Sequence, residues 1–178
     1  FSEILHAESW FGPGLTDELA EQTFAPQLRQ TLLRAMTFGC YPEIAVTRSD
    51  PVPLLRELAG DYLYKDVLQA GLVKTPDLIR RLLTLLAHQV GSEVSTSELA
   101  VQLGMSRITV ERYLDLLEET FVIFRLPSFS RNPRKEICKG KKIFFWDTGI
   151  RNTLVNALDP SEVRPDIGAL FENFVVAE

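Results

Sequence analysis

Two serines impose the tightest local constraint on this chain. Ser95-Thr-Ser-Glu98 reads as a capping box. The hydroxyl oxygen at a helix start accepts a backbone N–H that has no partner inside the helix, and the glutamate three residues on reaches back. The helix it opens is predicted to run through Gln102. Leu103-Gly104-Met105-Ser106 then reads as a tight turn, and Ser106 is placed to cap a second helix over residues 107–119. Leu99 and Ala100 on the first helix are expected to face Val110, Leu114 and Leu117 on the second. A small side chain at Ala100 lets two helices cross closely and steeply.

Beyond the second helix the chain turns extended. Val122-Ile-Phe-Arg-Leu126 and Lys142-Ile-Phe-Phe-Trp146 are β-type runs, separated by a basic loop containing Pro127 and Pro133. Phe144, Phe145 and Trp146 read as strand core. Helix, helix-turn-helix, strand, loop, strand is the order of a winged helix. Upstream, residues 1–11 suggest a short helix or turn closed by Gly12-Pro13-Gly14. Residues 26–37, 51–70 and 76–90 show helical spacing of leucines, with Gly39-Cys-Tyr-Pro-Glu43 ending the first of these and Gly71 the second. The expected fold is mainly α with a small β-wing. It divides into a helical, lid-like region (1–70), a winged helix-turn-helix domain (76–158), and the start of a further domain (166–178). Gly168-Ala-Leu-Phe-Glu-Asn-Phe-Val-Val-Ala-Glu178 is a helix pattern without a stop signal, and residue 1 is a phenylalanine. Both suggest a piece of a longer protein.

Several phrases occur together and in order: Phe1-Ser-Glu3, Gly39-Cys-Tyr-Pro-Glu43, Tyr62-Leu-Tyr-Lys-Asp-Val67 and Glu98-Leu-Ala-x-x-Leu-Gly-Met-Ser106. Later come Thr109-Val-x-x-Tyr-Leu-x-x-Leu-Glu118, Asn132-x-x-Lys135, Phe145-Trp-Asp-Thr-Gly149 and Leu170-Phe-Glu172. The series resembles the prokaryotic AAA+ ATPases that carry a C-terminal domain of unknown function. The resemblance implies an ATPase core upstream, holding ATP and Mg, and a restriction-endonuclease-like domain downstream. It implies that Glu172 is a weak candidate for an outer acidic residue of a nuclease-like site. Cys40 departs from the glycine more usual in its phrase, and Lys65 stands where arginine is common.

The chain itself offers no catalytic constellation. There is no Gly-x-x-x-x-Gly-Lys-[Ser/Thr] phosphate loop, so no cofactor is expected here. His6 and His88 are isolated, no acidic–histidine cluster has metal spacing, and Cys40 and Cys138 read as reduced thiols. Asp147-Thr-Gly149 looks like an aspartic-protease signature, but a helix-like run from Ile150 to Leu158 comes at once, so Asp147 or Thr148 is better read as its cap. With no signal segment and no membrane-length apolar run, the expected location is the cytoplasm, with no membrane partner.

Charge carries the functional argument. The chain is net −5, yet residues 125–142 hold seven basic residues against Glu136 alone, which leaves −11 on the remainder. Such asymmetry is the footprint of a phosphate-binding loop. DNA contact is therefore assigned to Arg131, Arg134, Lys135, Lys139, Lys141 and Lys142 on the wing. Arg107, Thr109 and Arg112 are assigned to the second helix, with Ser106 beside them. Against this, residues 96–120 are net −3, and Glu111 and Asp115 share the outward face. The alternative is a module that binds protein, self-associates or joins domains; a third reading is a part of a nuclease or defence, toxin–antitoxin-like ATPase.

Overall fold

The computed structural model describes residues 2–12, 17–61, 76–127 and 141–178. Nine helices and three strands lie among them. They are α1 (Ser2–Ala7), α2 (Asp17–Phe38), α3 (Pro42–Val46), α4 (Val52–Asp61), α5 (Pro76–His88), β1 (Glu93–Val94), α6 (Thr96–Leu103), α7 (Arg107–Glu119), β2 (Ile123–Pro127), β3 (Lys141–Phe145), α8 (Thr148–Leu154) and α9 (Ile167–Ala177). The fold is mainly α with one small antiparallel sheet, as expected. The phrase Tyr62 to Val67, Lys65, Gly71, and the loop residues Arg131, Arg134, Lys135 and Lys139 lie outside the described residues.

Local signals account for most boundaries. Ser95 caps α6, accepting from the Glu98 N–H at 3.3 Å, and Ser106 caps α7, accepting from the Thr109 N–H at 3.1 Å. Gly104 ends α6 with φ +64, a conformation that L side chains rarely adopt. Leu99, Ala100, Val110, Leu114 and Leu117 are all buried in one core. Removing such a leucine side chain from water contributes about 1.5–3 kcal/mol. The same core takes in Phe38, Ile44, Leu55 and Ile79, so the N-terminal helices pack with the helix-turn-helix.

Some boundaries differ from the sequence reading. The helix expected over 26–37 begins earlier, as α2, and bends at Phe24 (φ −122, ψ 24) two residues before Pro26. The proline ring obstructs the carbonyl four residues back, which bends the helix without ending it. Pro42 ends nothing by itself: α2 stops at Gly39 (φ +81), and Pro42 opens α3. The helix after Asp147 closes sooner than Leu158, because Asn156 sits at φ +52. Strand β1 has no sequence signal at two residues. It exists because β3 offers it a partner, pairing Glu93 with Lys142 and Val94 with Lys141. β2 runs antiparallel on the other side of β3, giving the order β1-β3-β2. Trp146 is not core: Phe144 and Phe145 are buried, but Trp146 lies one residue past β3, 47% exposed. It packs on the rings of Phe121 and Phe124.

Candidate functional site

The residues assigned to anion contact fall into different surroundings. On α7, Arg112 is exposed, Thr109 is partly covered, and Arg107 is exposed with its guanidinium 4.0 Å from Glu111 one turn on. At the hairpin base, Lys141 is exposed. Lys142 donates from Nζ to Glu172 Oε1 at 2.7 Å, which joins β3 to α9. The glutamate proposed by resemblance for a nuclease-like site is therefore ion-paired.

Arg125, which belongs to the basic stretch by sequence, serves α7 instead. Its backbone N–H donates to Glu118 Oε1 at 3.0 Å, and Nε donates to Glu118 Oε2 at 2.8 Å. Nη2 reaches Asp115 Oδ1 at 2.6 Å as well as Glu118, and Nη1 lies 3.8 Å from Glu111. Burial works against the charge on Arg125, but the hydrogen bonds it donates to the Glu118 and Asp115 carboxylates outweigh that and raise the guanidinium's pKa. Three carboxylates on the outward face of α7 thus hold the root of the hairpin.

A second set of polar residues centres on α8, and sequence reasoning identified only its first member. Asp147 caps α8 by accepting from the Ile150 N–H at 2.8 Å, as expected; it also accepts from the Cys40 N–H at 2.9 Å. Burial pushes the Asp147 carboxyl up, opposed by the backbone N–H groups of Ile150, Cys40 and Gly149. The end of α2 and the start of α8 meet through glycines. A Cβ on Gly39 would strike the Asp147 carboxyl, and a Cβ on Gly149 would strike the Phe38 carbonyl. Two phrases of the motif series, Gly39-Cys-Tyr-Pro and Phe-Trp-Asp-Thr-Gly149, are therefore one contact in space. Cys40 sits beside it, its thiol pushed up to about 12 by burial and by the carboxylates of Glu178 and Asp147, which keeps it in the unreactive thiol form.

Asn152, fully buried, donates from Nδ2 to the carbonyls of Met36 at 3.1 Å and Thr37 at 2.8 Å. Its Oδ1 accepts from Arg151 Nη1 at 3.0 Å and Arg164 Nη2 at 3.1 Å. Arg151 also donates from Nε to the Ala87 carbonyl at 2.8 Å, and it pairs with Asp166. Arg164 binds both oxygens of Asp166. On the sheet side, fully buried Asn173 of α9 bonds both backbone groups of Phe145. Arg151, Asn152, Arg164, Asp166 and Asn173 gave no sequence signal. Arg151 bonds its neighbour Asn152, and Arg164 bonds Asp166 two residues on, but the other partners of the set lie on distant segments.

The chain has no phosphate-loop sequence, and among the described residues no three His, Cys, Asp or Glu side chains converge on a common point. No helix of the described residues is long and apolar enough to cross a membrane.

Fold and site define a mainly helical module with two capped helices joined by a tight turn and a three-stranded sheet, cross-braced by buried polar side chains. Its family is shown by a model that matches residues 29–161: the chain belongs to the family described as "Domain of unknown function (DUF8612)". Uncharacterized proteins of Mycobacterium bovis and Mycobacterium tuberculosis are each 34% identical to it over 119 residues, covering 66% of this chain and 27% of theirs. An uncharacterized protein of Haemophilus influenzae is 24% identical over 121 residues, 64% of this chain and 30% of its own. The chain thus spans less than a third of the curated relatives it matches. No solved structure matches it.

Proposed function

We propose that the chain is a coupling module of an AAA+-type ATPase, built on a winged helix whose second helix is committed to its own hairpin. The element order α5-β1-α6-α7-β2-β3 and the strand order β1-β3-β2 support the winged-helix reading. The motif series supports the ATPase reading. The observation that carries the coupling role is Arg125 among Glu111, Asp115 and Glu118. The helix face that would enter a DNA groove presents carboxylates, and phosphate would meet like charge there. Meanwhile Asp147 and Asn152 tie α8 to the end of α2, and Asn173 ties α9 to β3, so displacement of one element is transmitted to the others.

One observation favours nucleic-acid contact instead. Lys141 is exposed at the foot of the hairpin. That reading places contact on the wing alone, with weak, sequence-independent and salt-sensitive binding. Fluorescence anisotropy of a labelled DNA duplex at low salt separates the two. Coupling alone predicts no binding. Binding that falls with salt and disappears when Lys139, Lys141 and Lys142 become alanine overturns it in favour of the wing. Sedimentation velocity on the same sample reads self-association, the form of coupling in which the partner is a second copy.

A further inference from the structure

Phe121 stands where a glycine is usual. It follows the C-terminus of α7, where its N–H donates to the Glu118 carbonyl at 3.1 Å and the Val122 N–H donates to the Leu117 carbonyl at 2.9 Å. That closure takes a left-handed residue, and Phe121 has φ +56. A bulky side chain is strained in this conformation. Burial does not offset the strain, because Phe121 is 66% exposed. Strain held at an exposed position points to a role outside the fold's own packing.

Other apolar side chains continue from it. Phe121 meets Trp146 edge-on, with ring centroids 6.3 Å apart, and Trp146 lies 4.7 Å from Phe124. Along β2, Phe124 and Leu126 alternate with Ile123, which is in the core, so they belong to the sheet's outer face. Leu126 is exposed too. Phe121, Trp146, Phe124 and Leu126 form an apolar strip of the kind that marks an interaction surface.

Charge selects the occupant. The strip begins at an acidic helix end: residues 113–119 of α7 carry Asp115, Glu118 and Glu119 and no cation. Arg125 engages Asp115 and Glu118, while Glu119 is exposed. The dipole of α7 adds negative charge at the same end. Lys141 and Lys142 lie at the opposite end of the strands, and Lys142 is paired with Glu172. A second copy docked strip to strip would bring carboxylates against carboxylates, and a nucleic acid would bring phosphates against them. An arginine suits both parts of the surface. Its guanidinium plane stacks on an aromatic face, and its charge answers the helix end.

We propose that this strip docks an arginine-bearing apolar segment of a partner protein, with Trp146 and Phe121 as the stacking surface and Glu119 as the counter-charge. The inference does not depend on the coupling role, because DNA contact through the wing would leave this surface intact.

Trp146 is one of two tryptophans, so Trp10→Phe isolates its fluorescence. In that background, a short peptide alternating arginine and leucine should change the Trp146 emission saturably, and the same peptide with glutamate for arginine should not. Phe121→Gly relieves the left-handed strain, and Glu119→Lys reverses an exposed charge. Each should weaken binding by about three- to tenfold, the range of one cation–aromatic or charge contact. Melting temperature checks that both variants fold. No response to the arginine peptide, an equal response to the glutamate peptide, or undiminished binding in both variants would overturn the proposal. Self-association in sedimentation velocity that disappears in Phe121→Gly would overturn it in favour of a second copy. If Phe121→Gly fails to fold, Glu119→Lys alone still decides.

Discussion

Asn173 pairs with Phe145 as though it were a strand. Its Oδ1 accepts the Phe145 N–H at 2.7 Å and its Nδ2 donates to the Phe145 carbonyl at 2.8 Å. Both residues are fully buried. One side chain on α9 thus satisfies both backbone groups of the last residue of β3. Asn173→Leu keeps the volume and removes both bonds. Two buried backbone groups are orphaned, each at about 1–3 kcal/mol. The expected loss is therefore on the order of 2–5 kcal/mol, read as a fall in the urea midpoint with an unchanged slope.

Gly149 permits the closest approach of α8 to α2. Gly149→Ala pushes a methyl group into the Phe38 carbonyl, where backbone cannot step aside as a flexible side chain could. A loss of several kcal/mol, or failure to fold, is expected. Gly168→Ala is the control, because a methyl there meets nothing within 4 Å and gains helix propensity. It should be neutral or stabilising by up to about 1 kcal/mol. Circular-dichroism melts of the two variants measure the contrast.

Asp147 serves two elements at once, so its loss should be felt on both. Asp147→Ala removes the cap of α8, worth about 1 kcal/mol, and also strands the Cys40 N–H. If the coupling role is right, amide exchange should accelerate together in α8, at the end of α2 and in α9. Acceleration confined to the first turn of α8 would leave the elements mechanically independent.

Arg125, on β2, offsets three carboxylates of α7. Arg125→Met should lower stability at neutral pH by about 1–3 kcal/mol, since part of that cost is repulsion among Glu111, Asp115 and Glu118. Repulsion between partly exposed charges is screened by salt. The gap from wild type should narrow as NaCl is raised from about 0.05 to about 1 M, and a gap independent of salt would assign the loss to packing of the arginine stem.

The Asp166 carboxyl is depressed in the folded protein by Arg164 and Arg151. A depressed acid stabilises the fold at any pH above its unfolded value, about 3.9, and that contribution is lost as pH falls toward the folded value. Asp166→Asn should therefore cost on the order of 3 kcal/mol at about pH 7. Chemical denaturation at stepped pH should show the gap from wild type holding down to about pH 4 and shrinking below it.

The helix pair α6–α7 was legible because its determinants are local. Ser95, Gly104 and Ser106 act within one turn of backbone, and Leu99, Val110, Leu114 and Leu117 repeat at helical spacing. The acidity of α7 was legible too, as a count. Its meaning was not, because Arg125 sits in the basic stretch by sequence but returns to Glu118 in space.

By itself, the sequence determined the capped helices, the two longer strands and the cap at Asp147, since each rests on hydrogen bonds or periodicity within a few residues. The tertiary structure alone decided β1, the meeting of Gly39 with Asp147, and the partners of Asn152, Arg164 and Asn173. Those depend on which backbone groups and charges arrive together when distant segments pack, and a buried polar side chain is satisfied only by what packing brings to it.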